Sequence, residues 1–352
     1  MKKMRDPKDN KPIAIDIFSG CGGLTLGLKQ AGFRVLGAVE IDPLAIATYR
    51  KNHPDVTIWD TDIRLVKGTE ILKTLRIKKG ELDLLAGCPP CQGFSTIRTH
   101  NGYKNIRDHR NNLIFDYIRL IKDLLPKAVM LENVPSLMYD KRMTRFKKEL
   151  ELLGYDLNNT PVILNAADYM VPQRRRRMIM ICSRFRKIEL PSKVKRRKTV
   201  REAIGGLSRP GKSGDVLHDL KADRSPRVLA IIKCIPKDGG SRKDLPRSLE
   251  LQCHKNFPDG FNDVYGRMSW EDISPTITGG CINPSKGRFL HPSQNRSITL
   301  REAALLQTFP INYHFSLSRG KYAAAIMIGN ALPPKFIKMH AIAVKKSLIS
   351  YD

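Results

Sequence analysis

The chain has 352 residues, 41% of them apolar, and its 62 Lys and Arg against 34 Asp and Glu leave a net charge of +28. That length suits one large domain with a smaller one, and a basic excess well beyond what solubility requires points to a phosphate-rich partner such as nucleic acid. No apolar run is long enough to span a bilayer, the charged start has no apolar h-region behind it, and seven cysteines lack disulfide-like spacing, so a cytoplasmic protein with no membrane partner is expected.

In chain order, Pro12 to Phe18 predicts a strand, and Ser19-Gly20-Cys21-Gly22-Gly23 a loop. A helix over Leu24 to Ala31 closes at Gly32 as a C-cap would. Phe33 to Glu40 predicts the next strand, Pro43 to Asn52 a helix and Thr57 to Trp59 a short strand. The apolar run with Leu82, Leu84 and Leu85 suits a buried parallel strand, followed by a helix over Leu113 to Leu124 and a strand over Val129 to Glu132. Such β-α-β alternation predicts an α/β fold, a mostly parallel sheet with helices on both faces. Gln173 to Arg177 reads as the start of another strand, whose alternation puts Arg175 and Arg177 on one face and Arg174 and Arg176 on the other. Helical spacing recurs over Arg296 to Gln307 and from Phe336 to Val344. From about Arg184 to Pro292 the chain is rich in Gly, Pro, Lys and Arg, with its densest charge run at Lys193–Lys198, and predicts an irregular small domain. That run suits a phosphate contact or a solvated loop better than an import signal.

Two strand-end features carry chemistry. The glycine loop is not G-x-G-x-x-G, and alone it fits a tight turn as well as a ligand cradle. Glu40 follows it by about 20 residues, where a carboxylate can bind ribose hydroxyls. Asp62 follows the next strand, so an adenosine could lie with its sugar on Glu40, its base on Ile41 and its exocyclic amine on Asp62. NAD fits this much equally well. The second feature is Gly87-Cys88-Pro89-Pro90-Cys91-Gln92-Gly93-Phe94-Ser95, in which two prolines stiffen a loop and present Cys91 as a nucleophile. The Cys88/Cys91 spacing also fits a redox dithiol or half a zinc site, although the remaining cysteines supply no second pair.

Several separated segments together resemble one family, the DNA cytosine-5 methyltransferases of the bacterial restriction-modification type: Asp16–Gly23, Glu40–Asp42, Asp62–Ile63, Pro89–Ser95, Glu132–Val134, Gln173–Arg177, Arg301–Ala304 and Gly329–Pro334. The resemblance implies a Rossmann-like S-adenosylmethionine-dependent methyltransferase sheet with a second, smaller target-recognition domain. The catalytic part would be residues 1–184 completed by 293–352, and the target-recognition region 185–292. It implies S-adenosyl-L-methionine as cofactor, contacted by Phe18, Gly20, Gly22, Gly23, Glu40, Ile41, Asp62, Ile63, Pro90, Asn330 and Ala331, and no metal. Cys91 would add to carbon 6 of a flipped cytosine, Glu132 would contact N3 and the exocyclic amine, and Arg175 and Arg177 would face the site, Arg177 being the better candidate to hold the base at O2. Many relatives have glycine where this chain has Cys88, which is expected to be structural. The expected partners are double-stranded DNA and, by function, a cognate restriction endonuclease, with the enzyme itself a monomer. Two other readings are tRNA methylation and a non-catalytic DNA-binding module. The RNA branch carries Cys-Phe-Thr, whereas Cys234, Cys253 and Cys281 are followed here by Ile, His and Ile; the intact cysteine, glutamate and arginine positions count against the module.

Overall fold

The computed structural model describes residues 10–90, 109–158, 160–256, 260 and 262–349, so Cys91–Ser95 lie outside the described residues. The chain forms two compact units. One comprises the described residues of Met1–Leu164, Arg176–Ser192 and Pro334–Asp352; the other comprises those of Asn165–Arg175 and Lys193–Pro333. Residues 293–333, expected with the catalytic part, cluster with the second unit.

Among the described residues the first unit is built on a seven-stranded sheet of order β3-β2-β1-β4-β5-β7-β6. Its strands are β1 (Ile13–Ile17), β2 (Arg34–Val39), β3 (Thr57–Trp59), β4 (Leu84–Gly87), β5 (Ala128–Asn133), β6 (Val162–Asn165) and β7 (Arg176–Ser183). β1 to β5 pair in parallel, and β7 runs antiparallel to β5. Every residue of β1, β4 and β5 is buried, which explains why these strands read as continuous apolar runs without alternation. The Tyr117 hydroxyl, from helix Leu113–Leu124, lies 2.9 Å from the Leu85 carbonyl oxygen and 2.8 Å from that of Met130, tying this helix to β4 and β5.

The first helix, Gly23–Gln30, packs on the terminal helix Pro334–Ile349. They meet at Gly27, where a Cβ would stand 2.6 Å from Cβ of Ile337 and 2.7 Å from the Pro334 carbonyl oxygen. The second unit holds short helices and isolated bridges around a small apolar cluster of Ile232, Ile235 and Leu290. Its irregular backbone is gathered by Arg267, a fully buried side chain that donates to the carbonyls of Ile232, Ile235, Pro236, His291 and Gln294.

Two element boundaries differ from expectation for identifiable reasons. The helix expected from Arg296 begins at Leu300, because Thr299 and Glu302 form a capping box there. The Arg296 guanidinium reaches over that cap to Glu302 at 2.6 and 2.7 Å. The strand expected from Gln173 begins at Arg176; Gln173 instead bridges Ser274, with its side-chain oxygen accepting from Ile277 N–H at 2.9 Å.

Candidate active site

The chain leaves β1 toward β2 on one side and β4 toward β5 on the other, so β1 and β4 flank a topological switch point. Ligands of open α/β sheets bind outside the carboxyl ends of such a strand pair. Here those ends carry the glycine loop and Cys88-Pro89-Pro90.

The glycine loop is held by Glu40. One carboxylate oxygen, Oε2, accepts from Gly20 N–H at 2.7 Å, and Oε1 accepts from Ile41 and Asp42 N–H at 2.9 Å each. A carboxylate offers about four lone-pair directions, so Oε2 keeps room for one more donor. Gly20 and Gly22 take left-handed φ angles of 54° and 93°, and Phe18 does so at 59°. Gly22 then caps the first helix, which begins at Gly23. Beside Glu40, Ile41 presents 59% of its surface to solvent, unusual for an isoleucine at the end of a buried strand. Asp62 caps the turn Ile63–Leu65 and pairs with the Arg64 guanidinium, which holds its carboxyl below the usual carboxylate range. Ile63, expected at the ligand, is buried in the core.

Across the switch point, the register of β4 with β5 sets Gly87 opposite Leu131, so the next residues, Cys88 and Glu132, are neighbours. The Cys88 thiol donates to Glu132 Oε2 at 2.8 Å. One residue on, the Asn133 amide donates to the Pro89 carbonyl at 2.9 Å and fixes the start of the loop. Arg177 enters from antiparallel β7 with its Nε 3.1 Å from Glu132 Oε1. This is an ion pair and not an aligned hydrogen bond, because buried Oε1 has no hydrogen-bond partner among the described residues. Glu132 is only 2% exposed, and a buried acceptor of this kind suits a donor brought by a ligand. Pro90 is half-buried at the edge of the described loop, and Cys91 lies outside the described residues.

Arg175 is turned inward, and its guanidinium has backbone partners. Alternation holds, with Arg174 and Arg176 exposed and Arg175 buried, but its guanidinium donates to the carbonyls of Ile277, Gly329 and Ala331 at 3.1–3.2 Å. Within the second unit it therefore clamps the backbone on either side of exposed Asn330. Period-two patterning identifies the inward face of a strand, not what occupies the interior there.

Two residues near the switch point make contacts that the sequence reading does not assign. Cys88 is one, and nothing but the β4–β5 register reveals its contact. Asp16 is the other, an acid in the otherwise apolar strand β1. Its Oδ2 accepts from Thr25 N–H at 3.0 Å and from the Thr25 hydroxyl at 2.7 Å, and that hydroxyl lies 2.8 Å from the Tyr49 hydroxyl. Burial pushes the Asp16 carboxyl up to about 7, against the two Thr25 bonds.

The Rossmann-like sheet, with a glycine loop tied to an acid at the next strand end and a buried carboxyl group beside a Pro-Pro loop, is the switch-point site of an α/β enzyme that binds a nucleoside-bearing cofactor beside a reactive group. A profile of the C-5 cytosine-specific DNA methylases matches residues 13–346. The type II methylase M.HgiDII of Herpetosiphon aurantiacus is 34% identical over 95% of this chain and 95% of its own. The type II methyltransferase M1.HphI of Haemophilus parahaemolyticus is 33% identical over 94% of this chain and 86% of its own. A crystal structure provisionally described as a DNA modification methyltransferase encoded within an E. coli prophage is 25% identical, with a TM-score of 0.67 over 97% of this chain and 100% of that one. The S. pombe Dnmt2 methyltransferase, 17% identical with a TM-score of 0.60 over 97% and 100% of the two chains, shares the fold. The chain belongs to the C-5 cytosine-specific DNA methylase family, and it is a DNA cytosine-5 methyltransferase. Family and fold imply S-adenosylmethionine as cofactor and DNA as substrate. No described helix is long and apolar enough to cross a membrane.

Proposed function

We propose that the enzyme methylates a cytosine within a specific duplex sequence, flipping the base out of the helix and attacking it with Cys91. The single observation that carries this reading is the buried Glu132 carboxyl, fixed at the carboxyl end of β5 between Cys88 and Arg177, with no aligned donor to Oε1 among the described residues.

Carbon 5 of cytosine is a weak nucleophile. Addition of the Cys91 thiolate to carbon 6 forms an S–C bond and pushes an electron pair toward N3 and carbon 5. Glu132 answers that charge at N3 and the exocyclic amine by hydrogen bonding or proton donation, while Arg177 is set beside it for O2. Bound S-adenosylmethionine supplies the methyl group that carbon 5 accepts. Loss of the carbon 5 proton then returns an electron pair to the ring and expels Cys91 as thiolate. The glycine loop and Glu40 fit the cofactor by their open backbone and spare acceptor, with Ile41 a bare apolar surface for adenine and Asp62 for its amine once released from Arg64. Phe18, Gly22, Gly23 and Pro90 would complete the cradle around them. Arg175 acts here as a positioning residue for Asn330 and Ala331, not as a group facing the base. Residues 185–292 would contain the base-reading side chains, and a restriction endonuclease of the same sequence preference is the expected functional companion of a monomeric enzyme.

Methyl transfer to duplex DNA, tRNA and no substrate separates this reading from tRNA methylation and from a non-catalytic module. DNA containing 5-fluorocytosine should form a stable covalent adduct with the wild-type enzyme and cofactor, because the fluorine blocks elimination. Cys91→Ser should form none while still binding DNA. Methylation by Cys91→Ser at the wild-type rate would remove Cys91 from its role.

A further inference from the structure

We propose that Cys88 is a positioning residue for Glu132, its thiol fixing the rotation of the carboxyl group so that Oε1 faces the cytosine. The inference rests on the reading of Glu132 given above. Cys88 is the first residue beyond β4, and its N–H remains 3.4 Å from the Ile17 carbonyl oxygen of the neighbouring strand, so its backbone is set by the sheet. Its thiol donates to Oε2 at 2.8 Å, and Arg177 Nε lies 3.1 Å from Oε1. The terminal torsion of a glutamate is broad and roughly two-fold. With a contact from Arg177 alone the carboxyl plane could turn; a second contact on the other oxygen defines it.

A thiol is suited to this place by its chemistry. Glu132 has to serve base binding and the build-up of charge at N3, and its protonation state changes if it passes a proton to the ring. Arg177 can only donate, and so favours one of those states. A thiol can donate weakly to a carboxylate and accept weakly from a carboxylic acid, so Cys88 can hold Oε2 through both. Glycine at this position, lacking a side chain, would leave that oxygen without this partner.

The test uses the full-length enzyme on a plasmid that the wild type methylates, under single-turnover conditions. Cys88→Ala should slow methyl transfer by roughly 3- to 10-fold, the loss expected for one modest hydrogen bond in the transition state, with the Kd values for DNA and S-adenosylmethionine unchanged within about twofold. Cys88→Ser, which keeps a donor and acceptor, should restore the rate to within about threefold of wild type. In a Glu132→Gln background, Cys88→Ala should add less than about a twofold effect, because the group it positions is already altered. A Cys88→Ala enzyme at full rate, or one that slows Glu132→Gln by the same factor as wild type, would overturn the proposal. Glu132→Gln at full rate would instead sink the reading of Glu132 itself. Should Cys88→Ala not fold, the infrared S–H band that Cys88→Ser removes from the wild type must move on Glu132→Gln substitution; an unmoved band overturns the contact.

Discussion

At the residue scale the site divides into groups that a sequence can display and groups that only neighbouring strands create. Glu40 and Glu132 are legible because each is an acid that ends an apolar run. Cys88 is not, since its contact arises from pairing between β4 and β5 over a separation of 44 residues. Asp16 lies between these cases: an acid inside Ile13–Ile17 is visible at once, but its Thr25 partner and the Tyr49 hydroxyl beyond Thr25 come from two different helices. Burial pushes Asp16 from 3.8 to about 7, so the folded protein holds that proton more tightly than the unfolded chain does. The resulting stabilisation is complete below about pH 4 and is lost as pH rises through 7. Asp16→Asn removes this titration. Between pH 5 and pH 8 the variant should gain about 2–3 kcal/mol relative to wild type, since each pKa unit is worth about 1.4 kcal/mol. Urea unfolding at both pH values measures the difference, and parallel behaviour of the two proteins would mean that Asp16 does not titrate in this range.

At the scale of elements, β1, β4 and β5 were readable because burial on both faces removes polar alternation, and the first helix because Gly32 stops it. The beginning of β7 was misplaced by three residues because Gln173 belongs to the second unit, where it bonds Ile277 and Gln307. No periodicity in four successive arginines could display those partners. The packing of the first helix on the terminal helix was equally hidden, as it depends on the absence of a side chain at Gly27. In an isolated helix Gly→Ala stabilises by about 1 kcal/mol. Here the new methyl would fall 2.6 Å from Cβ of Ile337 and 2.7 Å from a backbone oxygen, and neither can swing aside as the tip of a long side chain could. Overpacking costs typically about 1–3 kcal/mol and should win. Gly27→Ala should therefore lower the thermal midpoint by about 1–4 °C, since each kcal/mol shifts it by about 1–2 °C in a chain of 352 residues. A raised midpoint would show that the helices separate at little cost.

At the scale of the whole molecule, the excess of positive charge was the plainest feature of the sequence and the least informative about where DNA binds. Formal charge does not distinguish a cation facing solvent from one already answered by an acid of the same chain. The Lys193–Lys198 run makes the point. Arg196 pairs with Glu202 at 2.8 Å, and Arg197 with Asp168 at 2.7 Å, while Lys195 is exposed without an ion pair among the described residues. Each phosphate neutralised by a protein cation releases condensed counterions, so every lost contact lowers the steepness of log K against log salt by about 0.9. If this run touches DNA, Lys195→Gln should reduce that slope by about one unit, whereas Arg196→Gln should change it by less, because its charge is shared with Glu202. Neither should alter which sequence is methylated, since phosphate contacts carry no base information. Exchanging residues 185–292 for those of a relative with another target should instead move the methylated site while the adduct with 5-fluorocytosine persists. Bisulfite sequencing of DNA methylated by each variant reads the site, and filter binding over a salt series reads the slope. An active exchanged protein that still modifies the original sequence would place the base-reading residues outside 185–292, and residues 293–333, which cluster with the second unit, would be the next segment to exchange.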